Sequence, residues 1–131
     1  DNVTHARVSS PAIPFVAMVS EPQDYHNIID DCIVRTEKSD FLSRVMFMQQ
    51  MHKTYAGTST VCTGVASRIA DSVVNEVCRR GSLEDDKVRF GHPAGIIQTE
   101  ARVKREGNNF SVERATLGRT ARRIMDGTVY L

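Results

Sequence analysis

Thr58, Ser59 and Thr60 stand together just ahead of the small-residue run Val61-Cys62-Thr63-Gly64-Val65-Ala66, and the chemistry they suggest is anion binding. A hydroxyl at the start of a helix accepts from the otherwise unpaired N–H groups of the first turn. Those same amides, with the positive end of the helix dipole behind them, attract a carboxylate. Ordinary helix capping accounts for three hydroxyl residues equally well, so both readings stand at this point. His52 and Lys53 lie upstream and can add positive charge, or be no more than a surface histidine and a solvated lysine. His92, inside Gly91-His92-Pro93-Ala94-Gly95, can donate to a ligand or simply pin a tight loop. The substrate-binding candidates are therefore Thr58, Ser59, Thr60, Lys53, His52 and His92.

Two further groups carry chemistry in principle. A helix N-terminus lowers a thiol pKa, which would make Cys62 a nucleophile or base. It lies one turn in among apolar neighbours, however, and is expected to be a buried structural thiol. Arg119, Arg122 and Arg123 form the basic cluster. It can clamp phosphate or carboxylate, but the simpler expectation is exposed strand arginines paired with nearby acids. No aromatics interleave them, so base stacking on RNA has no support.

The elements that must position these residues follow from patterning. After a turn at Ala56-Gly57, residues 58–69 read as a helix so poor in polar surface that it is expected to be buried on most sides. Ser39 is expected to cap an amphipathic helix from Asp40 to about Met51. Phe41, Leu42, Val45, Met46 and Met48 recur there at helical spacing, with the methionines as core filler. Phe15 to Val19 reads as a buried strand and Cys32-Ile33-Val34 as a possible short one, with Glu21 to Tyr25 a turn. Ser72 to Val77 reads as a strand, Arg79 to Asp86 as a solvated charged loop, and Lys87 to Phe90 as a strand ending at the glycine loop. Ile96–Arg105 and Phe110–Leu117 form a hairpin through Glu106–Asn109. Thr120 to Leu131 is expected to add a strand or pair with Gly127 as a bulge, and Asp1 to Ser10 to be a polar end. The sum is one α+β domain over residues 1–131, two helices against mostly antiparallel strands.

Composition excludes several function classes. Seventeen basic and sixteen acidic residues leave the charge near zero, which gives no general case for nucleic acid or a membrane surface. No apolar run approaches the roughly 20 residues of a membrane span, and no signal peptide opens the chain. Three cysteines without Cys-x-x-Cys spacing argue against a disulfide framework or zinc site and for a reducing, cytoplasmic setting. A start at Asp1 without methionine suggests a cleaved product or a piece of something longer.

Five blocks, in this order, resemble a known family: Ser10-Pro11-Ala12-Ile13-Pro14, Met48-Gln49-Gln50-Met51-His52-Lys53-Thr54-Tyr55-Ala56, Val73-Val74-Asn75-Glu76, Gly91-His92-Pro93-Ala94-Gly95, and Leu117-Gly118-Arg119-Thr120-Ala121-Arg122-Arg123-Ile124-Met125-Asp126-Gly127. They resemble the C-terminal part of the PrpF-type methylaconitate and methylitaconate isomerases. The resemblance implies a diaminopimelate-epimerase-like lobe, strands wrapped around a central helix, facing a second lobe across a cleft. It also implies cofactor-free proton transfer that shifts or isomerises a C=C bond in a small di- or tricarboxylate, with helix N-termini holding the carboxylates. The family's proton-transfer lysine and its Cys-Gly-Asn block belong to the other lobe, and nothing here matches them. No catalytic residue, metal or cofactor is therefore expected in this chain, and its partners would be a small polycarboxylate and either a first-lobe chain or a second copy. Ala94 stands where the family's glycine loop often has serine, which removes a hydroxyl. The alternative is a non-catalytic or repurposed binding or dimerisation module.

Overall fold

The computed structural model describes residues 8–9, 13–119 and 121–130. Most of the expected polar end, and Pro11 and Ala12 of the first block, lie outside the described residues. The architecture is α+β. Strands β1 (Val16–Ser20), β4 (Phe41–Phe47), β6 (Lys87–His92), β7 (Gly95–Glu106) and β8 (Asn109–Leu117) form a sheet in the order β1-β4-β6-β7-β8, with β5 (Gln50–Met51) paired to the end of β4. Strands β2 (Tyr25–His26) and β3 (Ile33–Val34) make a separate small hairpin. Among the described residues β4 and β6 run parallel, joined through Phe41↔Phe90 and Leu42↔Gly91, and the other pairings are antiparallel.

Helix α1 (Gly57–Ala66) packs on β7 and β8. Its small residues permit that approach. A Cβ built on Gly64 would lie 2.8 Å from the Thr99 methyl carbon, so the helix could not come this near β7 with a larger residue there. A buried chain of hydroxyls ties α1 to β4: Ser43 Oγ to Tyr55 OH at 2.8 Å, and Tyr55 OH to Thr63 Oγ1 at 2.9 Å. Around this chain lies the core of Phe41, Val45, Tyr55, Cys78, Val88, Phe90 and Ala101. Phe41 stacks on Phe90 at 5.2 Å between ring centroids, and Tyr55 meets Phe90 edge-on at 5.0 Å. Such aromatic pairs add roughly 0.5–1.5 kcal/mol each beyond burial.

Several sequence expectations are corrected here. The helix expected over Asp40–Met51 is the β4–β5 hairpin, and Ser39 instead closes a 3-10 turn at Thr36–Lys38. Strand β4 lies between β1 and β6, so apolar residues point to both faces at its start and the period-2 signal is lost. Its turn, Met48-Gln49, has φ of 49° and 62°, the left-handed pair a two-residue hairpin needs, but built without the usual Asn-Gly cue. Met48 and Met51 are exposed rather than core filler. The strand expected at Ser72–Val77 is a short helix, α2 (Val73–Val77), because Ser72 Oγ accepts from the Asn75 amide and caps it against the β preference of its valines. Strand β1 exists but is a sheet edge, with Val16 and Met18 exposed, not buried. Residues 121–130 are exposed and form no strand, so the expected final strand or pair is absent among the described residues.

Candidate functional site

An open groove of about 890 Å³ lies where the N-terminus of α1, the turn joining β6 to β7, and the segment after β8 converge. Gly57 and Thr60 line it from the helix, His92 from the end of β6, Gln98 from β7 and Arg119 from beyond β8.

The helix start is unusual in being uncapped by a side chain. Ala56 is the N-cap, in extended conformation, and donates no cap. Alanine is among the least stabilising residues there, by about 1 kcal/mol against serine or threonine. This corrects the expectation that Thr58, Ser59 or Thr60 caps the helix: all three lie inside it. Thr60 is buried, its amide bonds to the Ala56 carbonyl at 2.8 Å and its hydroxyl donates to the same oxygen at 3.0 Å. The amides of Gly57, Thr58 and Ser59 precede the first intrahelical bond and have no acceptor in the helix. Thr58 is exposed and Ser59 half-buried, and neither residue lines the groove.

His92 is buried, with 7% of its surface exposed. Burial, and then the nearby charges of Arg44 and His52, lower its pKa to about 4, so the ring is neutral near pH 7. Its Nδ1 accepts from the Ala94 amide at 3.3 Å. His92 thus pins its own turn, and it also lines the groove. That turn is further held from outside. Tyr25 OH donates to the Gly95 carbonyl, Arg44 donates to the Gly91 carbonyl at 3.1 Å, and the Ile28 amide donates to the Pro93 carbonyl at 2.8 Å. The Arg44 guanidinium lies 4.9 Å from the Tyr25 ring centroid, a cation–π contact. Burial raises the Tyr25 pKa and lowers that of Arg44.

The other candidates disperse. His52 Nδ1 accepts from the Thr54 amide at 3.1 Å, and His52 does not line the groove, although its charge is felt at His92. Lys53 is exposed and outside the lining. Cys62, expected to be buried, is exposed on the outer face of α1 and away from the groove. Of the three arginines, Arg119 borders the groove, whereas Arg123 pairs with Asp126 at 3.1 Å in an exposed segment that is not a strand. Among the described residues no group of three or more His, Cys, Asp or Glu side chains is placed to hold a metal. Nor, among the described residues, is any helix long and apolar enough to cross a membrane. Tyr25, Arg44 and Gln98 were not singled out by sequence reasoning. Nothing in the pattern joins Tyr25 to Gly95, seventy positions later.

Comparison with known proteins adds what geometry cannot. A family model described as PrpF protein matches residues 2–131. The chain is 48% identical over 126 residues to the 3-methylitaconate isomerase of Eubacterium barkeri, covering 96% of this chain and 32% of that protein. It is 33% identical over 116 residues to the 2-methyl-aconitate isomerase of Shewanella oneidensis, covering 88% of this chain and 28% of that protein. A crystal structure of methylitaconate-delta-isomerase superposes with a TM-score of 0.81 at 48% identity, covering 95% of this chain and 31% of that one. The α+β arrangement is thus the diaminopimelate-epimerase-like one that the resemblance implies. The chain spans about a third of the length of the relatives it matches.

Proposed function

This chain belongs to the PrpF family, and from that premise we propose that it is the carboxylate-holding lobe of a cofactor-independent isomerase. The reaction shifts or isomerises a C=C bond in a small unsaturated di- or tricarboxylate of the aconitate type. The observation that carries the reading is the uncapped N-terminus of α1 opening on a groove lined also by His92, Gln98 and Arg119. The Gly57 amide, on the groove wall at the positive end of the helix, binds a carboxylate without moving, and Arg119 supplies a full charge beside it.

Such a lobe works by fixing geometry. Removing an allylic proton beside a carboxylate spreads negative charge from carbon onto the carboxylate oxygens as a dienolate forms. Donors already aimed at those oxygens stabilise that charge more than they stabilise the ground state. The proton is then returned at another carbon, by groups that the family resemblance assigns to the other lobe.

Calorimetric titration of the chain with cis-aconitate tests this. Gly57→Pro removes one amide donor at the first helical position, where proline is tolerated. A lost hydrogen bond to a charged group is worth about 1.5–3 kcal/mol, so binding should weaken roughly tenfold or more. Gly57→Ala keeps the amide and adds a Cβ about as close to the Leu117 side chain, 3.2 Å from its Cδ2. Equal losses in both variants would show that the amide is not a ligand.

One observation favours a second reading, a module that pairs with another lobe or copy: Val16 and Met18 lie exposed on edge strand β1. A monomeric mass across a wide concentration range would remove it.

A further inference from the structure

We propose that His92 is held as the neutral tautomer protonated on Nε2 and offers that N–H to a ligand oxygen in the groove, with Tyr25 and Arg44 acting as positioning residues. The donor role rests on the carboxylate reading above; the tautomer does not. The Ala94 amide donates to Nδ1, so Nδ1 carries a lone pair and the single proton of the neutral ring is on Nε2. No side chain or backbone group among the described residues bonds Nε2, and it is not sealed from the groove that His92 lines.

The brace explains why the arrangement is fixed. The Tyr25 hydroxyl ties down the far end of the turn, donating to the Gly95 carbonyl. Arg44 grips the Gly91 carbonyl on the preceding residue and covers the Tyr25 ring. Among the described residues Arg44 pairs with no carboxylate, so its charge acts undiminished on its surroundings. The titratable or charged groups around His92 are Arg44 from β4, Tyr25 from β2, His52 beyond β5 and Arg119 beyond β8, together with the positive end of α1. None of them is an acid at neutral pH that would favour an imidazolium. A neutral ring suits the role, because a donor without full charge orients a carboxylate oxygen and releases it without breaking an ion pair.

Long-range proton–nitrogen correlation spectra of the His92 ring at pH 7 test the tautomer. The expected result is a protonated Nε2 and a bare Nδ1; a protonated Nδ1, or an imidazolium, overturns the proposal. Arg44→Met should raise the His92 titration midpoint from about 4 towards the ordinary 6.5, whereas Arg44→Lys should leave it low. An unchanged midpoint in Arg44→Met overturns the part given to Arg44. Tyr25→Phe, which frees the Gly95 carbonyl, should let the His92 ring populate the tautomer protonated on Nδ1 as well, and an unmixed Nε2 tautomer in that variant overturns the part given to Tyr25. For the donor role, cis-aconitate binding should survive within about threefold in His92→Gln, whose amide N–H mimics Nε2–H, and fall roughly tenfold in His92→Phe. Equal affinity in these two variants overturns the donor. Absence of cis-aconitate binding to the unmodified chain, with the tautomer as expected, sinks the carboxylate reading and the donor role with it, and leaves the tautomer standing.

Discussion

Two turns of the same three-strand meander make an informative contrast. The turn between β6 and β7 and the turn between β7 and β8 both depend on glycine with positive φ, Gly95 at 129° and Gly107 at 64°. Gly107 is a left-handed residue inside its turn and Gly95 the first residue of β7 just after its own, and each needs glycine. Around the first, Tyr25, Ile28 and Arg44 arrive from elsewhere in the chain and bond its carbonyls. Around the second, the contact given to the turn is Arg105 Nε donating to the Gly107 carbonyl at 3.2 Å, two residues away. The first is a positioned platform; the second merely reverses the chain. What separates them is bracing over long sequence distance, which local propensity does not encode.

The largest effect expected in that contrast is at the foot of β6. Asp40 is fully buried and accepts from the Arg89 amide at 2.8 Å and the Arg89 guanidinium at 3.0 Å. Removing the half-exposed arginine leaves the buried carboxylate without its countercharge, so Arg89→Ala should cost about 3–5 kcal/mol in urea denaturation. On the β7–β8 side, Glu100–Arg114 is a surface pair at 2.6 Å, and Glu100→Ala should cost under about 1 kcal/mol. Similar costs for both would dissolve the distinction.

Next comes the pH dependence of stability. His92 titrates near 6.5 in the unfolded chain and at about 4 when folded, because burial and Arg44 disfavour its charged form. Between those values the unfolded chain holds a proton that the folded chain lacks. Stability is therefore full above pH 6.5 and is lost as pH falls towards 4, by on the order of 3 kcal/mol. His92→Gln should flatten this window relative to the unmodified chain, and an unaltered slope would mean that other groups cause it.

Smaller still, a Cβ at Gly91 would lie 2.5 Å from the Leu42 Cδ2 and 2.8 Å from the Tyr25 ring. Gly91→Ala should therefore cost about 1–3 kcal/mol by overpacking. Gly107→Ala meets nothing within 4 Å, and its cost is the left-handed backbone alone, about 1 kcal/mol. Thermal midpoints of the two variants, read against Gly81→Ala in open space, would rank them.

Much of this molecule was legible before any coordinates. The β6–β8 meander, its turns and the small-residue helix follow from alternation, glycine placement and residue size, all local signals. The misreadings cluster where tertiary context overrides local preference. Strand β4 looked helical because both its faces are covered at one end, and α2 looked extended because its valines favour strands while one Ser72 cap decides otherwise. Within the site, Thr60 and His92 were visible as residue types, but the hydroxyl of Thr60 is turned back onto Ala56. What α1 brings to the groove beyond Thr60 is Gly57.

The sequence by itself determined the α+β class, the family likeness and the small-residue helix, because size, alternation and turn chemistry act between near neighbours. Only the tertiary structure decided that Tyr25 and Arg44 brace the His92 turn, that Arg119 reaches the groove and that Cys62 faces away from it. Those outcomes depend on which distant surfaces bury against one another. Chain closure brings them together, and no spacing along the chain records it.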